Sequence, residues 1–321
     1  MEHPVLYVET RGGITENEHR GSLAVVDNKG NLMLSYGDVH SPRYFRSSSK
    51  PLQALPVFAR HLDRLNGTTQ EESVIFAASH LGDQCHIDTV RRILKHNGFS
   101  EGQLIMNPAL GRSGETCKPA HCCSGKHTAL MLLAKELCGD YTDYWRLESA
   151  AQKEVLSAIA TMSNCERESI KTGIDGCGVP VFAVPLKNMA LSFLRLARPQ
   201  MIPDAALATA ADTLGAAINA YPHMIRGNGA LDTIINTDKN LIAKSGRCGV
   251  YCIGFRNEGL GLALKIDDGC DLHLPILLAA IFRKLGYGNR ELLNELDELL
   301  PAAILDDTGK HAGSLLATLP V

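Results

Sequence analysis

A serine and a lysine three positions apart, in Arg46-Ser47-Ser48-Ser49-Lys50-Pro51, are the first residues of this chain with the spacing for chemistry. A serine hydroxyl is a weak nucleophile until a neighbour takes its proton. A lysine in the wall of a cleft, its charge disfavoured by burial, can be that neighbour. Helical geometry would bring the two together. Pro51 is tolerated in a first helical turn, and Leu52, Leu55, Phe58 and Ala59 follow at helical spacing. Ser47 and Lys50 would then lie one turn apart on one face. The same residues also make an ordinary serine-rich helix start before a solvated lysine, so the motif alone does not choose.

Lys244-Ser245-Gly246, at the end of an expected strand, supplies a partner motif. Ser-x-x-Lys followed later by Lys-[Ser/Thr]-Gly marks the penicillin-recognising serine acyl enzymes, and both motifs stand here in order on the expected elements. Two further constellations carry thiols. His121-Cys122-Cys123-Ser124-Gly125-Lys126-His127 opens an apolar helix, where the helix dipole and free backbone N–H groups would favour the Cys123 thiolate. Gly173-Ile174-Asp175-Gly176-Cys177-Gly178-Val179-Pro180 is a glycine-punctuated loop holding a carboxylate and a thiol. Each can equally be turn chemistry around buried cysteines. Gly125-Lys126 is not a phosphate loop, because Ala120 stands where the leading glycine is needed and His127 follows the lysine.

These residues need a scaffold to position them. Strands are expected at Val5–Val8, Ser22–Val26 and Leu32–Tyr36, with Arg11–Asn17 a polar loop and Asp27–Asn31 a hairpin turn. Helical spacing covers 87–97, 128–137, 145–162 and 203–221, and helices at 272–285 and 290–300 close the chain. A late meander runs through 240–244, 249–254 and 261–266. Strands at both ends with helices between predict an α+β fold whose terminal segments meet in one antiparallel sheet. Residues 1–321 are read as one catalytic unit with room for a helical lobe mid-chain. Composition fits: 45% hydrophobic and 21% charged residues are ordinary globular values. A net charge of −3 and 5% aromatic residues give no footprint for nucleic acid or an anionic membrane surface. The chain opens with Glu2 and no apolar run, and no segment reaches membrane-spanning length, so a cytoplasmic protein without a disulfide scaffold is expected.

Taken together, RGGITENEHRG, RSSSKP, AASH at 77–80, CCSGKH at 122–127, GIDGCGVP at 173–180 and the AKSG strand resemble the bacterial asparaginase II family, typified by the inducible Rhizobium enzyme. The resemblance runs from Arg11 to beyond Gly269 and implies a serine β-lactamase-like fold. It implies hydrolysis of L-asparagine to L-aspartate and ammonia, with Ser–Lys pairs mapping onto Ser47 with Lys50 and Ser79 with Lys244. It further implies zinc on Cys123, Lys126 and Cys177, in an auxiliary role, and a homodimer. Arg46, His80, Asp175, Asp232 and Ser245 are the expected substrate-binding residues, Asp175 facing the substrate ammonium. One departure stands out. Where the Rhizobium-type chain has a further cysteine, this one reads Gly227-Asn228-Gly229-Ala230-Leu231-Asp232-Thr233.

Two other functions fit the same residues. A glutaminase or other serine amidohydrolase differs by one methylene of substrate, which a pocket discriminates by only about 1–3 kcal/mol. A catalytically silent amino-acid sensor would keep the pocket but has no need of both pairs.

Overall fold

The structure is a computed structural model that describes residues 3–319; Glu2 lies outside them. Strands Val5–Arg11 and Ile14–Val26 form a hairpin across Gly12-Gly13. Both glycines have positive φ, 56° and 81°, as a two-residue hairpin turn requires. The segment expected as a polar loop is therefore mostly strand, and its polar residues are the solvated edge of a long ribbon. The turn at Asp27–Asn31 is where the sequence places it, followed by strand Leu32–Tyr36.

The terminal segments do meet in one antiparallel sheet. Strand His311–Ala317 pairs with Val5–Arg11, while Leu260–Ile266 pairs with the second half of the long N-terminal strand. Val250–Phe255 and Leu241–Gly246 continue the sheet on that side. The hairpin Ala303–Leu305 with His311–Ala317 was not legible in the sequence pattern. Alternation divides the sheet's two faces. Ala24, Val26, Ile242, Cys252 and Ala263 pack into one cluster under the central helices; Leu23, Val25, Ala243, Ile253, Leu262 and Leu264 pack into a second. Helices Leu274–Lys284 and Arg290–Leu299 cover that second face. Because both faces are buried, Val250–Phe255 is buried at every position and reads as a continuous apolar run rather than an alternating one.

Helix Leu186–Ala197, which sequence spacing did not single out, lies directly on the sheet. A Cβ at Gly254 would come within 2.0 Å of the Phe193 carbonyl oxygen, and one at Gly261 within 2.1 Å of that of Ala190. These two glycines set how closely helix and sheet approach. The helix expected from Trp145 begins instead at Ala150, because the Ser149 side chain accepts from Gln152 N and caps it there. Among the described residues all ten cysteines are free, and no helix is long and apolar enough to cross a membrane.

Candidate active site

Arg46–Ser49 forms one tight 3-10 turn that runs into helix Lys50–Ala59, with Pro51 in its first turn as expected. Lys50 is fully buried. Its Nζ lies 2.8 Å from the Ala78 carbonyl, 2.9 Å from the Cys122 carbonyl and 2.9 Å from Ser79 Oγ. The expected pairing is thus not the one met: Lys50 Nζ meets Ser79, and among the described residues only the Lys50 backbone N–H, donating to the Ser47 carbonyl, joins it to Ser47. A 3-10 turn places Ser47 over Lys50 along the chain, but the lysine stem extends away, toward the segment carrying Ser79. That segment is held in place by Ser79 N donating to the Ile225 carbonyl and Leu81 N to that of Arg226.

Lys244 likewise departs from the expected partner. Fully buried on strand Leu241–Gly246, it donates to Asp232 Oδ2 at 2.8 Å, and Ser245 Oγ donates to the same oxygen at 2.7 Å. Asp232 Oδ1 accepts from Ser245 N at 3.0 Å. Burial, aided by the charges of Arg226 and Lys50, pushes Lys244 down to about 8 against the opposing pull of Asp232. Burial would raise Asp232, but Lys244 and Arg226 hold it below its usual range. Asp232, expected to bind substrate, instead anchors the end of the Lys-Ser-Gly strand. Gly246 completes that end: a Cβ there would sit 2.5 Å from the Phe45 carbonyl oxygen, so only glycine lets the strand close on the Ser47 turn. Arg46 itself takes positive φ, 51°, an uncommon conformation for a side chain-bearing residue, and is fixed by its Nε donating to Asp175 Oδ1 at 3.0 Å.

His80 is buried with both ring nitrogens engaged. Nδ1 accepts from Gly82 N, so Nε2 carries the proton and donates to Ser124 Oγ at 2.8 Å, which donates onward to the Pro119 carbonyl. Burial holds the ring neutral. The chain ties the Ser79 segment to the start of helix Ser124–Cys138. Cys123 stands at the N-cap position of that helix without a side-chain capping bond, its Sγ 3.8 Å from Cys122 Sγ. Hydrogen bonds from Cys122 and Cys177, then the charges of Lys50 and Lys126, draw Cys123 well below the usual thiol range. Lys126 Nζ lies 3.1 Å from Cys177 Sγ and 4.0 Å from Asp175 Oδ2. Burial works against its charge, but Cys123, Cys177 and Asp175 outweigh that and keep it protonated.

One cleft of about 550 Å³ joins much of this. Ser47, Ser79, His80, Asp232 and Ser245 line it, with Cys122, Arg226, Arg247, Asp271 and Leu272. Lys50 and Lys244 stand behind its wall. Arg46 and Asp175 bond each other beside the cysteines and are not among the lining residues. Arg226 was missed in the sequence: it precedes Gly227-Asn228-Gly229, and an arginine beside a glycine-rich turn was the available signal. Its Nη1 donates to the Ser79 carbonyl at 3.3 Å.

The sequence profile of the L-asparaginase II family matches residues 8–317. The chain belongs to that family. It is therefore an amidohydrolase, an enzyme acting on amides. No curated protein sequence matches the chain. Among solved structures it is similar to a class D β-lactamase from Fusobacterium nucleatum subsp. polymorphum, at 12% identity and TM-score 0.43, covering 83% of this chain and 93% of that one. A β-lactamase from Mycobacterium bovis gives 16% identity, TM-score 0.43, and coverage of 82% and 94%. Within the family frame, the cleft between the Lys50–Ser79 and Lys244–Asp232 pairs is the candidate active site of this asparaginase II chain.

Proposed function

We propose that this asparaginase II chain hydrolyses the side-chain amide of L-asparagine through a serine activated by Lys50. The observation that carries the reading is the 2.9 Å contact between Lys50 Nζ and Ser79 Oγ. The other two partners of Nζ are carbonyl oxygens, which can only accept. A neutral amine satisfies both with its two N–H groups and turns its lone pair to the one partner that can donate, the Ser79 hydroxyl. That is the arrangement of a general base on a nucleophile. Ser79 Oγ attacks the amide carbon as its proton passes to Lys50. The same proton then leaves with ammonia, and water releases aspartate by the reverse exchange. Arg226 and Arg247 supply positive charge for the substrate carboxylate, and Asp271 negative charge for its ammonium.

A second reading rests on Ser47. It lines the same cleft, and among the described residues its hydroxyl makes no protein hydrogen bond, so it is free to attack. An electrophilic asparagine analogue, trapped and located by peptide mass spectrometry, separates the two. An adduct on Ser79 supports the first reading; one on Ser47 that still forms in Ser79→Ala protein supports the second.

Substrate is tested by ammonia release from asparagine, glutamine and buffer. Asparagine is expected to give the larger kcat/KM by about 10-fold or more, since one methylene is worth about 1–3 kcal/mol. Release from neither amide would favour a silent sensor. Because the base works with its lone pair free, kcat/KM is expected to rise through neutral into alkaline pH. A maximum near pH 5 with decline above it would point to a carboxylate base instead.

Zinc fits the donor set beside the cleft. Two buried sulfurs and an amine converge, Cys123 already favouring its thiolate, and two thiolates suit zinc over calcium or magnesium. Cys123, Cys177 and Lys126 would hold it, the lysine after losing its proton; bound there it would supply positive charge and rigidity. Cys123→Ser and Cys177→Ser are each expected to remove close to one zinc per chain by elemental analysis. Unchanged metal content in both would remove the assignment and leave the serine chemistry standing. By resemblance to the family the enzyme is also proposed to be a homodimer, which a monomer mass in solution would refute.

A further inference from the structure

Away from the cleft serines, three potential ligands converge at the root of the N-terminal hairpin. Glu9 lies on one strand of the hairpin and His19 on the other, while His273 directly precedes helix Leu274–Lys284. Glu9 Oε1 is 3.2 Å from His19 Nε2 and 3.5 Å from His273 Nδ1, and the three atoms lie within 4.8 Å of one another. Both histidines are buried, at 8% and 7% exposure. A tetrahedral metal with bonds of about 2.0–2.2 Å separates its ligand atoms by roughly 3.3–3.6 Å, close to these spacings.

The surroundings follow the pattern of an outer ligand shell. His19 Nδ1 meets Asp268 Oδ2 at 2.6 Å, a carboxylate on the imidazole nitrogen opposite the one facing Glu9. Such a carboxylate–histidine pair fixes the tautomer that leaves Nε2 unprotonated for a metal. Glu9 Oε2, the oxygen not used toward the histidines, accepts from Asn17 Nδ2 at 3.0 Å. The Tyr7 ring stacks on His19, with centroids 4.2 Å apart, and meets His273 edge-on, so both imidazoles are held by packing as well. Cys270 Sγ lies 3.9 Å from His273 Nδ1, placing a thiol beside the fourth position.

We propose that Glu9, His19 and His273 form a binding site for one divalent transition-metal ion of the zinc class, with the fourth position toward Cys270. Two imidazoles and a carboxylate suit zinc-class ions, whereas the all-oxygen sets of calcium and magnesium are absent from this cluster. Its place gives it a consequence. The turn from Asp267 to His273 carries Asp271 and Leu272 and leads into Leu274 and Pro275, and these four line the cleft. A metal would fasten that wall to the hairpin, so it would act on substrate affinity rather than on the serine chemistry.

The competing account is an imidazolium shared between Asp268 and Glu9, with no metal. The test uses full-length Cys123→Ser/Cys177→Ser protein, which lacks the thiols of the other candidate site, stripped with chelator and titrated with Zn2+ alone. The expected result is one zinc per chain, lost when His19→Gln and His273→Gln are added to that background. Asp268→Asn is expected to weaken zinc binding by about 10- to 100-fold, the usual effect of removing such an outer partner. Histidine-selective NMR of the parent protein reads the same site without substitutions: the ring signals of His19 and His273 should move together by two equivalents, once the thiol site is also filled. No zinc uptake by the Cys123→Ser/Cys177→Ser protein, with histidine signals unmoved in the parent, would overturn the proposal. So would unaltered zinc affinity in the folded His19→Gln/His273→Gln or Asp268→Asn protein.

Discussion

Ser79→Ala protein is expected to lose asparagine hydrolysis by about 10³-fold or more in kcat, with KM changed only a few-fold. The magnitude follows from the roles. A serine that both attacks and hands its proton to Lys50 contributes only in the transition state, so its loss falls on kcat rather than on binding. The cost to the fold is small by comparison. Lys50 keeps its two carbonyl partners, and one lost hydrogen bond costs about 1 kcal/mol, so the melting temperature should fall by only a few degrees. Lys50→Met should abolish activity to the same degree, but it strands the buried Ala78 carbonyl, the part-buried Cys122 carbonyl and the Ser79 hydroxyl and therefore lowers stability more. Groups acting as one unit are not additive, so the double variant should be no worse in activity than either single one. Near-normal turnover in folded Ser79→Ala protein would move the nucleophile to Ser47.

Much of the scaffold was legible because its signals are local. Asp27–Asn31 carries turn chemistry, and the three late strands carry enough β-branched and apolar residues to be read singly; the Gly12-Gly13 turn was hidden by the polar residues that follow it. What escaped depended on tertiary context. Helix Leu186–Ala197 follows directly on strand Pro180–Pro185, so strand and helix merge into one apolar stretch, and its position is set by Gly254 and Gly261 some sixty residues later. The site shows the same division. Spacing paired Ser47 with Lys50, and the family resemblance paired Ser79 with Lys244. The partners actually met depend on where a four-carbon stem ends after burial, which spacing does not encode. Lys50 reaches across to Ser79, and Lys244 is taken by Asp232, a residue whose importance lies in a charge balance visible only once both are placed in the interior.

That balance yields the second large effect. Asp232→Asn should destabilise the enzyme by about 3–5 kcal/mol, the usual result of removing one partner of a buried ion pair. Lys244 and Asp232 are both buried, and Arg226 and Lys50 add positive charge nearby, so no other carboxylate among its hydrogen-bond partners offsets Lys244. Its remaining course is to lose its proton. In the native chain Lys244 sits at about 8, so between pH 6 and 7 it is protonated in the folded and the unfolded state alike and contributes no slope to stability. Without the Asp232 charge its folded value falls further. The folded variant then carries a neutral Lys244 while the unfolded chain, with lysine near 10.4, still binds the proton. An unfolded state that binds more protons makes stability rise with pH, at up to about 1.4 kcal/mol per pH unit. Buried neutral histidines such as His80 add their own rise below their ordinary value, but they do so in both proteins and cancel in the comparison. The difference in melting temperature between parent and Asp232→Asn should therefore narrow steadily as pH increases across this range. A constant difference would mean that Lys244 keeps its proton without Asp232, and that the carboxylate is there to hold Ser245 rather than the charge.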